Sequence, residues 1–160
     1  MFTYGGLAYK TNTSQSTICY LPYRAVRPLE ILLVEDDSSD AEFTRTALDT
    51  TNIAYHMERL TNGMDVIPHL IRRSLFTDNK PMPDLILLDL GLPCQDGFEL
   101  LADFASLSPG LRSIPITILT GYEDFEYLKK SYDQLCISGY LTKPCSSDKL
   151  REVLIAATYR

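Results

Sequence analysis

LLDLGLP, residues 87–93, is the stretch on which the fold turns. The run Leu85-Ile86-Leu87-Leu88 leads straight into Asp89, and Gly91 and Pro93 follow. A continuous apolar run of this length marks a strand buried on both faces, as in a parallel sheet. Proline has no N–H for the ladder, so Gly91 and Pro93 turn the chain out of the sheet. The strand therefore ends by presenting a carboxylate.

The same grammar repeats on either side. ILLV (31–34) is a second apolar run, followed by Glu35, Asp36 and Asp37. Ser38 or Ser39 is placed to cap a helix running to about Leu48, with Phe43, Ala47 and Leu48 inward. IAYHMERL (53–60) alternates as a strand. Asn62-Gly63 is a turn, and a helix follows to about Ser74, kinked or delayed by Pro68. TDNKPMP (77–83) is a loop before the strand 84–90. Residues 97–107 form a helix with Phe98, Leu101 and Ala105 on one side, and SPGLRSIP (108–115) is a connection. ITILT (116–120) is the fourth strand. Phe125, Leu128, Tyr132 and Leu135 form the inner stripe of a helix over 124–135. GYLT (139–142) is a short fifth strand. Ser146 or Ser147 then caps a last helix, with Leu150, Val153, Leu154 and Ala157 inward. Strand and helix alternate five times, so the expected class is α/β, a doubly wound five-stranded parallel sheet with five helices. Right-handed crossovers bring the strand C-termini to one edge, where ligands bind.

The residues at that edge are Glu35, Asp36 and Asp37 after the first strand, Asp89 after the third, Thr120 after the fourth, and Lys143 with Pro144 after the fifth. Two carboxylates roughly 4 Å apart repel by about 4 kcal/mol at an effective dielectric of about 20. A divalent cation removes that cost, and a few oxygen ligands suit Mg²⁺. A carboxylate acceptor, a metal, an ammonium and a hydroxyl are the parts that phosphoryl transfer to Asp requires.

ILLVEDD (31–37), LILLDLGLPCQDG (85–97), ITILTG (116–121) and GYLTKP (139–144), in this order and spacing, resemble the receiver domain of two-component response regulators. The resemblance covers roughly residues 30–158, and the long loop before the third strand is similar to single-domain regulators paired with phytochrome-type kinases. It implies a flavodoxin-like fold. It implies that Asp89 accepts a phosphoryl group from a phosphohistidine, and that Glu35, Asp36, Asp89 and the Gly91 carbonyl hold Mg²⁺. Glu35 stands where Asp is more frequent. Thr120 and Lys143 would engage the phosphoryl group, Lys143-Pro144 would be a cis peptide, and Tyr140 would be the aromatic switch that moves with Thr120. The other reading of Tyr140 is an edge-strand aromatic. Asp37 is expected to cap or to face solvent rather than bind metal, and His56 and His69 to be surface or strand residues rather than catalytic ones. The implied output face is the helix after strand four, strand five and the last helix. Lys129, Lys130, Asp133, Tyr140, Asp148, Lys149, Arg151 and Glu152 lie there, a mixture that suits a homodimer or a partner protein.

The chain's 160 residues suit one domain, and 45% apolar residues provide a core. The reading is an N-terminal extension, 1–29, loosely ordered or packed on the surface, and a receiver over 30–160. A net charge of −6 disfavours direct nucleic-acid contact. No apolar run is long enough to span a bilayer, and the N-terminus lacks the pattern of a secretory signal. Cys19, Cys94, Cys136 and Cys145 have no C-x-x-C spacing and read as free thiols of a cytoplasmic protein, with a Cys94–Cys145 pair as the alternative. The implied function is that of a single-domain, Mg²⁺-dependent response regulator, not an enzyme in its own right. It would take phosphate from a sensor histidine kinase or histidine phosphotransfer protein and signal by conformational switch and protein contact. The alternatives are a receiver-like module that is never phosphorylated, and an aspartyl-nucleophile phosphohydrolase. Gly91 occupies the place where the hydrolases carry a second Asp. The resemblance implies that Gly91 and Tyr122, two residues past Asp89 and Thr120, flank the path of the attacking water, so that Gly91 would leave it open and Tyr122 would cover it, with Tyr122→Ala changing the decay rate at least several-fold.

Overall fold

The computed structural model describes residues 27–75, 80–93, 97–121 and 137–159. Most of the expected N-terminal extension, the helix read at 124–135, Tyr122, Lys129, Lys130, Asp133, Cys19, Cys94 and Cys136 lie outside the described residues. The elements in chain order are β1 (Leu29–Val34), α1 (Ser38–Asp49), β2 (Tyr55–Leu60), a 3₁₀ turn (Gly63–Asp65), α2 (Val66–Ser74), β3 (Leu85–Asp89), α3 (Gly97–Ala105), α4 (Pro109–Arg112), β4 (Ile116–Thr120), β5 (Ile137–Thr142) and α5 (Ser147–Thr158).

The strands form one parallel sheet in the order β2-β1-β3-β4-β5. The order reverses between β1 and β3, the crevice where open α/β sheets place ligands. Side chains alternate across a strand, so each apolar run serves two cores. Leu32, Val34, Ile86, Leu88 and Ile118 pack with Val66 and Leu70 of α2 and with Leu100, Leu101 and Phe104 of α3. Ile31, Leu33, Leu85, Leu87 and Leu119 pack on the other face with Ala41 and Leu48 of α1 and Leu150 and Leu154 of α5. Burial on both faces explains why these strands lack polar alternation. Val153 and Ala157 pack partly buried beside the α5 pair, as their helical spacing predicts.

Three local expectations need correction. Phe43 is 60% exposed, and Ala41, Thr44 and Leu48 make the buried stripe of α1. At roughly 100° per residue, Phe43 lies about 200° around the helix from Ala41. Asp37, not a serine, caps α1: its Oδ1 accepts the N–H groups of Ser39 at 2.7 Å and Asp40 at 2.9 Å. Residues 108–115 are more than a connection, because Pro109–Arg112 forms α4. Ser108-Pro109 is a helix-start signal, but four residues are too few to show a period. Pro68 falls in the first turn of α2, after the 3₁₀ turn capped by Asn62. An N–H there has no acceptor within the helix, so proline is tolerated.

Candidate metal and phosphoryl site at the sheet edge

Glu35 follows β1 directly and is fully buried. Its backbone N–H donates to the Leu60 carbonyl at 3.0 Å, which continues the pairing of β1 with β2. Arg59, near the end of β2, clamps the same loop from outside. Its Nε donates to the Glu35 carbonyl at 2.8 Å and its Nη2 to the Asp36 carbonyl at 2.7 Å. The loop that carries the acids is therefore anchored by backbone and side chain together. Asp36 is exposed, while Asp89 at the end of β3 is 8% exposed. One oxygen from each of Glu35, Asp36 and Asp89 can be chosen so that all lie within 4.8 Å of one another.

Lys143 enters this cluster from β5. Its backbone N–H donates to the Thr120 carbonyl at 2.8 Å, which ties the lysine to the end of β4. The Lys143-Pro144 peptide is cis. The ammonium lies 2.6 Å from Glu35 Oε2, 3.0 Å from Asp89 Oδ2 and 3.0 Å from Asp40 Oδ2. Burial works to lower the lysine's pKa, but its bonds to Glu35, Asp40 and Asp89 outweigh burial and raise it. Burial raises the Glu35 pKa, and the neighbouring Asp89 charge adds to that against the opposing pull of Lys143. Asp37 moves the other way: the Asp40 and Ser39 N–H groups that it caps lower its pKa. Three carboxylates thus share one ammonium with Asp36 close by, and the remaining negative charge fits a small divalent cation ligated by oxygen. The donor set, all carboxylate in a cluster of this size, is consistent with Mg²⁺.

Asp89 Oδ1 accepts the Gly91 N–H at 3.2 Å. A Cβ at residue 91 would sit 3.5 Å from Asp89 Oδ2, so any side chain there would lie against the carboxylate. Thr120 ends β4 and is 4% exposed. Tyr140, opposite Ile118 in the sheet, is half-buried against the α2–α3 core, and burial raises its phenol pKa. Cys145 is a free thiol whose pKa burial pushes up to about 11. The two histidines separate. His56 is exposed beside Glu30, whereas His69 is 5% exposed on α2, which corrects its assignment to the surface or a strand. His69 belongs to a charge network in which Arg73 contacts Glu58, Glu30 and the Pro81 carbonyl.

The sequence reading passed over Asp40 and Arg59. Asp40 had a signal, since it lies one helical turn past Asp36 on the first turn of α1. Arg59 had none, because its role appears only when β2 pairs with β1.

Residues 31–155 match the response regulator receiver domain family. The response regulator Rcp1 of Synechocystis sp. (strain ATCC 27184 / PCC 6803 / Kazusa) is 37% identical over 116 residues, 72% of this chain and 77% of Rcp1. The crystal structure of the Mn(2+)-bound form of Rcp1 is similar with a TM-score of 0.61 at 33% identity, covering 81% of this chain and 91% of that one. The bacteriophytochrome response regulator AtBRR gives a TM-score of 0.68 at 30% identity, with 81% and 91% covered. The phosphorylated cyanobacterial phytochrome response regulator RcpA gives 0.63 at 30% identity, with the same coverage.

Proposed function

This chain belongs to the response regulator receiver family, and from that premise we propose that Asp89 is its phosphoacceptor. The donor is the phosphohistidine of a sensor histidine kinase or of a histidine phosphotransfer protein, and the setting is the cytoplasm. The bond from the donor imidazole nitrogen to phosphorus breaks as a bond from an Asp89 oxygen to phosphorus forms, and the imidazole departs with the electron pair. The observation that carries this reading is the position of the Asp89 carboxylate, within one cation's reach of Glu35 and Asp36 and 3.0 Å from the Lys143 ammonium.

Glu35, Asp36, Asp89 and the Gly91 carbonyl would hold Mg²⁺. When bound, the metal supplies positive charge against the carboxylates and the phosphoryl oxygens. The chain's own residues do the rest. Arg59 keeps the Glu35–Asp36 loop in place. Lys143 exchanges part of its carboxylate contact for a phosphoryl oxygen. Thr120 offers a hydroxyl donor. The acyl phosphate carries about two negative charges where the carboxylate carried one, so Thr120 and Lys143 take a phosphoryl oxygen as a new partner in that form and the two-state equilibrium shifts. Tyr140 sits on the neighbouring strand to follow Thr120. The exposed Asp148, Lys149, Arg151 and Glu152 of α5 form the described part of the surface that a partner protein reads.

Intact-protein mass spectrometry after treatment with acetyl phosphate and Mg²⁺ tests the reading. A single phosphoryl group should be gained, lost with chelator and absent in Asp89→Asn. Equal labelling of Asp89→Asn would place the chemistry elsewhere. Full occupancy of all acids with no labelling at any Mg²⁺ concentration would favour the unphosphorylated module.

A further inference from the structure

Helix α2 carries two apolar faces, and the sheet uses one. Val66 and Leu70 are fully buried in the core. On the opposite side Met64 is 60% exposed, Ile71 42% and Leu75 66%, with Pro68 exposed between them. Met64 stands on the 3₁₀ turn that runs into the helix, and Leu75 at its C-terminal cap. The spacing is four, three, four, the alternation of a two-helix seam. A solvated helix face is ordinarily polar, so this stripe is anomalous for a surface.

The seam has a symmetry of its own: four, three, four reads the same from either end. We propose that α2 packs antiparallel against α2 of a second copy of this chain, about a two-fold axis between Pro68 and Ile71. Met64 then meets Leu75 of the partner subunit, and Pro68 meets Ile71 of the partner subunit. Asp65 and Arg72 flank the seam on one side, seven residues apart. Antiparallel pairing sets Asp65 beside Arg72 of the partner subunit, twice over, whereas parallel pairing would turn both toward the uncharged flank of the partner. The other flank, Ile67 and Ser74, carries no charge to oppose the contact. A two-fold contact of this kind is self-complementary and closes at a dimer. Met64 to Leu75 spans roughly 17 Å of 3₁₀ turn, helix and cap, a small patch next to the area of a permanent dimer. The dimer is therefore reversible, forming between low-micromolar and near-millimolar chain.

Sedimentation velocity of the full chain across that range tests the proposal. The wild type should pass from monomer to dimer, and Ile71→Glu should weaken association by about tenfold or more, as expected for a central apolar contact. Asp65→Arg or Arg72→Asp alone should weaken it, and the double exchange should restore it. Rescue in the double variant is a result that misfolding cannot produce. A chain that stays monomeric throughout overturns the proposal, which is the result expected if residues 1–26 cover the seam instead. A dimer that survives Ile71→Glu also overturns it and places the contact on another face, such as α5.

Discussion

Lys143 holds several acids with one charge. Its ammonium is the counter-ion for Glu35 and Asp89, and Glu35 is fully buried. Lys143→Met leaves those carboxylates facing each other. Removing one partner of a buried pair costs about 3 kcal/mol or more, so urea unfolding in chelator should show a loss of that order. Mg²⁺ should recover part of it. An equal loss with and without Mg²⁺ would show that lysine and metal do not share the acids. His69 gives a pH dependence of definite sign. Burial lowers its pKa below the ordinary 6.5 of the unfolded chain, against the pull of Glu58. Above 6.5 both states are neutral and stability is intact. As pH falls through 6.5 the unfolded chain takes up a proton that the folded chain does not, so stability declines until the folded value is reached. The urea midpoint should fall over that window, and His69→Gln should flatten the slope. An unchanged slope would mean that His69 does not titrate between the two states.

At the scale of elements, Gly97 at the start of α3 packs closely against the end of β3. A Cβ on Gly97 would lie 2.6 Å from Leu90 Cδ2, 2.7 Å from Leu90 Cα and 3.0 Å from the Asp89 carbonyl oxygen. Two of those atoms are backbone and cannot swing aside. Gly97→Ala should destabilise the domain by about 2 kcal/mol through overpacking, and should slow labelling by acetyl phosphate because the end of β3 moves. Thermal melts and mass spectrometry on one preparation read both effects, and a variant with wild-type melting and labelling would contradict this packing. Elements also show where local pattern falls short. The caps of α1 and α5 were legible to within a residue, since Asp, Ser and the following N–H groups are neighbours in sequence. The phase of α1 was not. Phe43 is the most apolar candidate on that helix, yet the sheet offers room for the Ala41–Thr44–Leu48 stripe. Among the described residues the sheet covers one side of α2, and the apolar residues on its other side follow an equally regular period.

For the molecule as a whole, the proposed cation site predicts a stability that depends on divalent cations. A ligand at a hundred times its dissociation constant adds about 2.7 kcal/mol to a folded state that alone binds it. Mg²⁺ should therefore raise the melting temperature of the wild type, and Asp36→Ala should blunt the effect. Equal shifts in both proteins would place the cation elsewhere. Among the described residues no helix is long and apolar enough to cross a membrane. The parallel fold and the acids at its rim could be read from the chain alone. An apolar run, its length and the residue that ends it are local properties, and the right-handed crossover rule carries all such ends to one edge. Other features came into view only with the tertiary structure. Lys143 reaches Asp40 across 103 residues of sequence. Arg59 grips the acid loop, Arg73 gathers the charges beside His69, and α2 turns a second apolar stripe outward. Each of these depends on distances between elements, which packing and strand register set and no single period along the chain encodes.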